Sequence, residues 1–141
     1  MRVPRSPRTR DRAGTSAVEM AMVAPLFVAR FMGQIESSRL GMVSQLLTTA
    51  AREGCRVAVI AGSTQSDVQN RVNAVLSSSG ISVGTVTPTC PSPYSWDTSP
   101  LGTPVTLSLS VPSSQVSWLG TPFYFANANV SASSTMSSER P

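Results

Sequence analysis

Hydrophobic positions along this chain change period twice, and those changes divide it. Residues 15–35 (TSAVEMAMVAPLFVARFMGQI) are apolar almost throughout. That length matches the roughly 20 residues a helix needs to cross a bilayer. Apolar positions then recur at three- and four-residue steps through Leu40, Val43, Leu47, Ala50 or Ala51, Gly54, Ala58 and Ala61. This is the spacing of an amphipathic helix, and it predicts one helix from about 15 to 61, roughly 70 Å long. Gly62 ends it. Thr64, with Asp67 three residues on, predicts the start of a second helix whose apolar face is Val68, Val72, Val75 and Leu76. Ser77–Ser79 and Gly80 close that helix.

After Gly80 the period falls to two. Val105-Thr-Leu107-Ser-Leu109-Ser-Val111 alternates strictly and predicts a strand with one buried face. Ile81–Thr87 and 128–136 alternate more weakly and are read as two further strands. Pro88, Pro91, Pro93 and Pro100 make the stretch between the first two a loop. Trp118, Phe123, Tyr124 and Phe125 form an aromatic connection expected to cover the sheet. The fold class is α+β: a long N-terminal membrane helix, then a small domain with a second helix and about three antiparallel strands.

Charge sharpens this picture. All 11 basic residues are Arg, and there are 7 acids. Up to Gly14 there are five Arg against one Asp, a net of +4, while six Arg and six acids balance from Thr15 onward. The high isoelectric point therefore belongs to a short tail, not to the body. A nucleic-acid binder carries its basic residues on the folded domain, so nucleic acid is not an expected partner. A basic tail ahead of an apolar helix reads as cytoplasmic, and with Pro4 and Pro7 it is expected to be disordered until bound. The expected organisation is a leader at 1–14, a transmembrane segment at 15–35 and an extracytoplasmic domain at 36–141.

The chain has no His, no C-x-x-C and no acidic cluster. That excludes the usual zinc sets and any His-dependent triad, so neither catalysis nor a cofactor is expected. Cys55 and Cys90 lie on the exported side, where a disulfide is the default. It would close a loop of about 36 residues and contribute roughly 3–4 kcal/mol. The alternative is two free thiols, with Cys55 a small buried hydrophobe.

The membrane segment carries Glu19, Pro25 and Arg30. Each central charge costs on the order of 2.5–3.5 kcal/mol, unless Glu19 snorkels inward and Arg30 outward. The two lie about 16 Å apart along the axis yet within about 20° of one face. They cannot pair within one helix, but they can pair between helices staggered by that distance. A core helix of a soluble protein, a secretory signal cut near Ala29 and an uncleaved anchor are the competing readings.

The junction Ala13-Gly14-Thr15-Ser-Ala-Val-Glu19-Met20, followed by the apolar run, resembles the type IV prepilin processing signal. Gly14 through Pro25-Leu26 looks like the opening of TadE-like proteins, the minor pilin or pseudopilin group of Tad (Flp-type) pili. Ala50-Ala-Arg-Glu-Gly-Cys55-Arg-Val-Ala-Val59 is similar to the AAREGAR stretch typical of that group, and Val111-Pro-Ser-Ser-Gln-Val-Ser-Trp118-Leu119 resembles its post-strand turn. Met20 stands where Phe is commoner, and Arg30 with Phe31-Met-Gly-Gln34 interrupts the usual Leu/Phe run. The resemblance implies cleavage after Gly14 by a prepilin peptidase, with Thr15 the first mature residue. It makes Glu19 an assembly determinant whose partner is the new amino group of Thr15 on a neighbouring subunit. It also implies pilin-like subunits and the Tad secretion machinery as partners, at the cytoplasmic membrane. A membrane-anchored binding module without a filament role is the alternative.

Overall fold

The computed structural model describes residues 8–117 and 128–141, with side chains from residue 14 on. Helix α1 runs Arg8–Ala58, α2 Gln65–Leu76, strand β1 Pro104–Pro112, a short helix α3 Ser113–Val116 and strand β2 Asn129–Ser137. Residues up to Ile35 form one compact unit, and Glu36–Pro141 form another. The aromatic connection at Trp118 and Phe123–Phe125 lies outside the described residues.

The helix begins earlier than its apolar pattern. It is already helical at Arg8, the first described residue, so residues 8–14 are helical and not the disordered tail expected. Nothing between Arg8 and Gly14 forbids helix. Pro25 lies inside α1 without ending it. At the other end the helix stops at Ala58, short of the expected 61, and Gly62, with a φ of 82°, lies in the turn that follows.

In the second unit, Val43, Leu47, Ala50, Ala51, Cys55 and Ala58 of α1 are buried. They share one core with Val68, Val72 and Leu76 of α2 and with Val105, Leu107, Leu109 and Val111 of β1. Those are the positions the two periodicities select. The start of α2 is also as expected: Thr64 N–H donates to Asp67 Oδ2 at 2.9 Å, and Asp67 N–H donates to the Thr64 hydroxyl. This reciprocal pair satisfies two donors that a helix start leaves open.

β1 and β2 pair antiparallel, with Thr106 opposite Thr135 and Leu109 opposite Ala132. Val130, Ala132 and Met136 pack partly buried against the core, while Ser108, Ser110, Ser131 and Ser133 face out. The described sheet has two strands, not three. Ile81–Thr87 runs beside α2 without joining the ladder. Its backbone is bound by glutamines of α2: Val86 N–H donates to Gln69 Oε1 at 2.8 Å, and Gln69 Nε2 donates to Gly84 O at 3.4 Å. Those side chains take the groups a neighbouring strand would otherwise use. One isolated bridge, Thr89 to Thr106, reaches β1 beyond Pro88.

Three carboxylates are held below their ordinary pKa. Glu53 is lowered by its hydrogen bond and charge pairing with Arg71 (2.6 Å), Asp67 by the Thr64 hydroxyl and backbone, and Asp97 by Ser95. A carboxylate with a lowered folded pKa adds stability above its unfolded value and loses it as pH falls through the folded one. The melting temperature is therefore expected to hold from pH 7 to about 5 and to drop below about pH 4. Asp67→Asn should shrink that drop; an unchanged acid limb would remove Asp67 from the account.

Candidate membrane-anchoring and processing segment

From Gly14 to Ile35 the side chains of α1 point outward on every side. Met20, Met22, Leu26 and Phe31 are 66, 75, 71 and 64% exposed. Ala24 and Gly33 are the intermediate positions in this stretch. α1 is long and apolar enough to cross a membrane, and none of its most apolar window is buried in the protein. A core helix of a soluble protein would have this surface covered; here it is not. So continuous an apolar surface, presented all round a helix, calls for lipid or for other helices.

Gly14 sits inside this helix. A Cβ added there would meet nothing within 4 Å, and its φ is not among the positive glycine values. Neither packing nor backbone geometry demands glycine at 14, although helical glycine costs about 1 kcal/mol against alanine. Gly41 shares that openness. Glu19 and Arg30 are both exposed on α1, and among the described residues neither has an ion-pair partner. Phe27, Arg30, Phe31 and Gln34 line a crevice of about 230 Å³.

The disulfide expected between Cys55 and Cys90 is not formed in this structure, and both thiols are free. Cys55 is buried under β1 and donates to Val105 O at 3.3 Å, whereas Cys90 donates to Tyr94 O at 2.9 Å. The Thr89–Thr106 bridge sets Cys90 alongside Val105, so the two cysteines flank one residue while each thiol turns to a different carbonyl. Burial pushes the Cys55 thiol up from its ordinary pKa, which removes the reactive thiolate. Native protein is expected to take one equivalent of maleimide, at Cys90, and a second only after denaturation. No labelling until a reductant is added would show the bridge instead.

Three further contacts were not legible in the sequence. Glu36, only 3% exposed, is buried near the start of the second unit. One turn on, Arg39 Nε donates to Val116 O at 3.2 Å, tying α1 to the short helix after β1. Arg140, remote in sequence, closes the end of α1: its Nη2 donates to Ala58 O at 2.8 Å and its Nε to Ile60 O at 3.3 Å. It also bonds Trp96 O and lies 5.3 Å from the centre of the Trp96 ring. No periodicity marks such a residue.

Compared with known proteins, residues 14–56 match the family model described as TadE-like protein. No curated protein and no solved structure matches the chain.

Proposed function

We propose that this chain, TadE-like over residues 14–56, is a membrane-anchored minor pilin or pseudopilin of a Tad (Flp-type) pilus, acting in adhesion or secretion. The carrying observation is an N-terminal helix whose apolar surface is uncovered on every side and interrupted by Glu19 and Arg30. A plain anchor has no use for a carboxylate at that depth, where charge is costly. A subunit that leaves the bilayer for a bundle of like helices does.

In this reading the arginine-rich leader stays cytoplasmic, and a prepilin peptidase cuts after Gly14. The anchor remains on the product, unlike that of a secretory signal. Because Gly14 is helical, the peptidase must first unwind a turn, and glycine is the residue that yields most readily. Cleavage removes the +4 leader and leaves a neutral subunit. Glu19 then faces the new Thr15 amine of a neighbouring subunit, with other pilin-like subunits and the Tad machinery as partners. Catalysis and cofactors have no part in this reading.

The N-terminus of the mature protein tests it. Thr15 is the expected first residue, whereas Met1 or Arg30 would overturn the assignment. A membrane-anchored binding module is the second reading, favoured by the fact that the family match stops at residue 56. Glu19→Ala separates the two: it abolishes assembly of a pilin and leaves a simple anchor in place.

A further inference from the structure

We infer that the outer edge of β2 is a docking site for an extended, uncharged strand of another protein subunit. Which backbone groups face that edge follows from one bridge. Thr106 exchanges both of its backbone hydrogen bonds with Thr89, on the far side of β1, at 2.7 and 2.8 Å. Its groups therefore point away from β2, and those of Thr135 opposite it point away from β1. Alternation along the strand turns the N–H and C=O of Ser131 and Ser133 the same way. Ala128 O and Ser138 N–H, in the opposite phase, bond inward to Ser113 and Thr103 as this pattern requires. Among the described residues nothing bonds the outward groups of Ser131, Ser133 or Thr135.

A row of alternating donors and acceptors on a strand is matched by one kind of ligand, another extended backbone. Edges that stay unpaired are usually blunted by charge, proline or a bulge. β2 carries no charge and no proline, and its register with β1 runs unbroken from Ser137 to Asn129. Its inward side is also half-covered. Val130, Ala132 and Met136 stay partly exposed, where Val105, Leu107, Leu109 and Val111 of β1 are buried. A further strand would cover them.

The chemistry of the occupant follows from the same residues. Neither β1 nor β2 holds a charge, so a charged side chain over Val130 or Ala132 would find no counter-ion. The incoming strand is therefore apolar on that face and polar on the other. A second copy's β2 has this pattern but the wrong direction. Cys55 lies against Val105 and Arg39 against Val116, so β1 runs opposite to α1 and β2 runs along it. Pairing two β2 edges antiparallel sets residue 36 of the two copies at opposite ends. Chains anchored through residues 14–35 in one bilayer enter from one side and cannot pair so. The choice of a different subunit rests on the pilin reading; the open edge does not.

Hydrogen exchange on the detergent-solubilised full chain tests the edge, with a synthetic peptide of residues 104–112 as the probe. That peptide has the required alternation and already pairs with β2 from the other side. It is expected to slow the Ser131, Ser133 and Thr135 amides about tenfold or more, with Ala132 and Ser134 as protected as before. No slowing overturns strand addition, whatever becomes of the pilin reading. Ser133→Pro removes only an outward N–H, which an edge strand tolerates. It is expected to keep the melting temperature and the Thr15 N-terminus, abolish the peptide's effect, and lower assembly about tenfold or more. Normal assembly of that variant overturns the edge as a subunit contact and leaves the pilin reading standing. Should Ser133→Pro not fold, the same three amides of the original chain decide. Slower exchange in the assembled fraction than in the solubilised chain supports the proposal; equal exchange overturns it. A disulfide between two Ser133→Cys copies in the assembled fraction overturns the choice of occupant, because it sets two β2 edges together.

Discussion

Replacing Gly54 with valine is expected to destabilise the domain at 36–141 by about 3 kcal/mol or more, with Gly54→Ala losing about 1 kcal/mol net. Gly54 of α1 faces both α2 and β1. A Cβ there would stand 2.5 Å from Leu107 Cδ2 and 2.6 Å from Val72 Cγ2, with Val68 Cγ1 at 3.7 Å. The end of Leu107 can rotate away. Val72 cannot, because a β-branched side chain on a helix has one strongly preferred rotamer. The elements must therefore separate, opening a core that is fully buried at both contacts. Alanine recovers about 1 kcal/mol of helix propensity against that cost; valine recovers less and adds two methyl groups. Gly41 is the control, since nothing lies within 4 Å of its added Cβ. Gly41→Ala should stabilise by about 0.5–1 kcal/mol. Urea midpoints on the detergent-solubilised chain measure both, and a Gly54→Ala protein as stable as Gly41→Ala would refute the packing argument.

Arg140→Ala is expected to remove about 3 kcal/mol, a large loss for a single substitution. Arg140 is 6% exposed, and its guanidinium donates to the carbonyls of Ala58, Ile60 and Trp96. Ala58 O is the last carbonyl of α1, where carbonyls have no partner within the helix, and Ile60 lies two residues beyond it. Hydrogen bonds to a charged group are worth more than neutral ones, and the helix C-terminus itself favours a cation. Removing the side chain deprives the Ala58 carbonyl of its donor and uncovers Trp96, while Ser63 still donates to Ile60 O and Ser99 to Trp96 O. Lysine keeps the charge but not the planar fork that reaches three acceptors, so Arg140→Lys should recover less than half of the loss. The acceptors are neutral carbonyls, so the loss should persist at 1 M salt. Collapse of the difference at that ionic strength would mean that long-range charge, not hydrogen bonding, was being measured.

Much of the fold was legible because it depends on local periodicity. Val105–Val111 alternates and is a strand with that face buried; Val68, Val72 and Leu76 recur by helical steps and line the core. The Thr64–Asp67 cap needs only residues three apart. Ile81–Thr87 shows the limit of this kind of reading. Ile81 and Val86 are both buried, but five residues apart they would lie on opposite faces of a strand, so the burial does not follow the alternation. Nor does an alternating sequence say which groups take the backbone hydrogen bonds, and Gln65 and Gln69 take them here. That α1 is already helical at Arg8 marks the same limit from the other side. Polar residues carry no periodic signal, so a helix can run through them unannounced.

For the candidate site, the sequence alone determined its parts: the arginine-rich leader, Gly14, an apolar stretch of helical length, and Glu19 and Arg30 on one face of it. These depend on composition and on the fixed rise and turn of a helix, which do not need a tertiary partner. Only the tertiary structure decided that the apolar stretch is uncovered on every side, that Gly54 is a packing requirement while Gly14 is not, and that Arg140 closes the end of α1. It also decided that Cys55 and Cys90 flank Val105 with their thiols turned apart. Each of those depends on which distant residue arrives beside which, and distances between elements are set by packing, not by order along the chain.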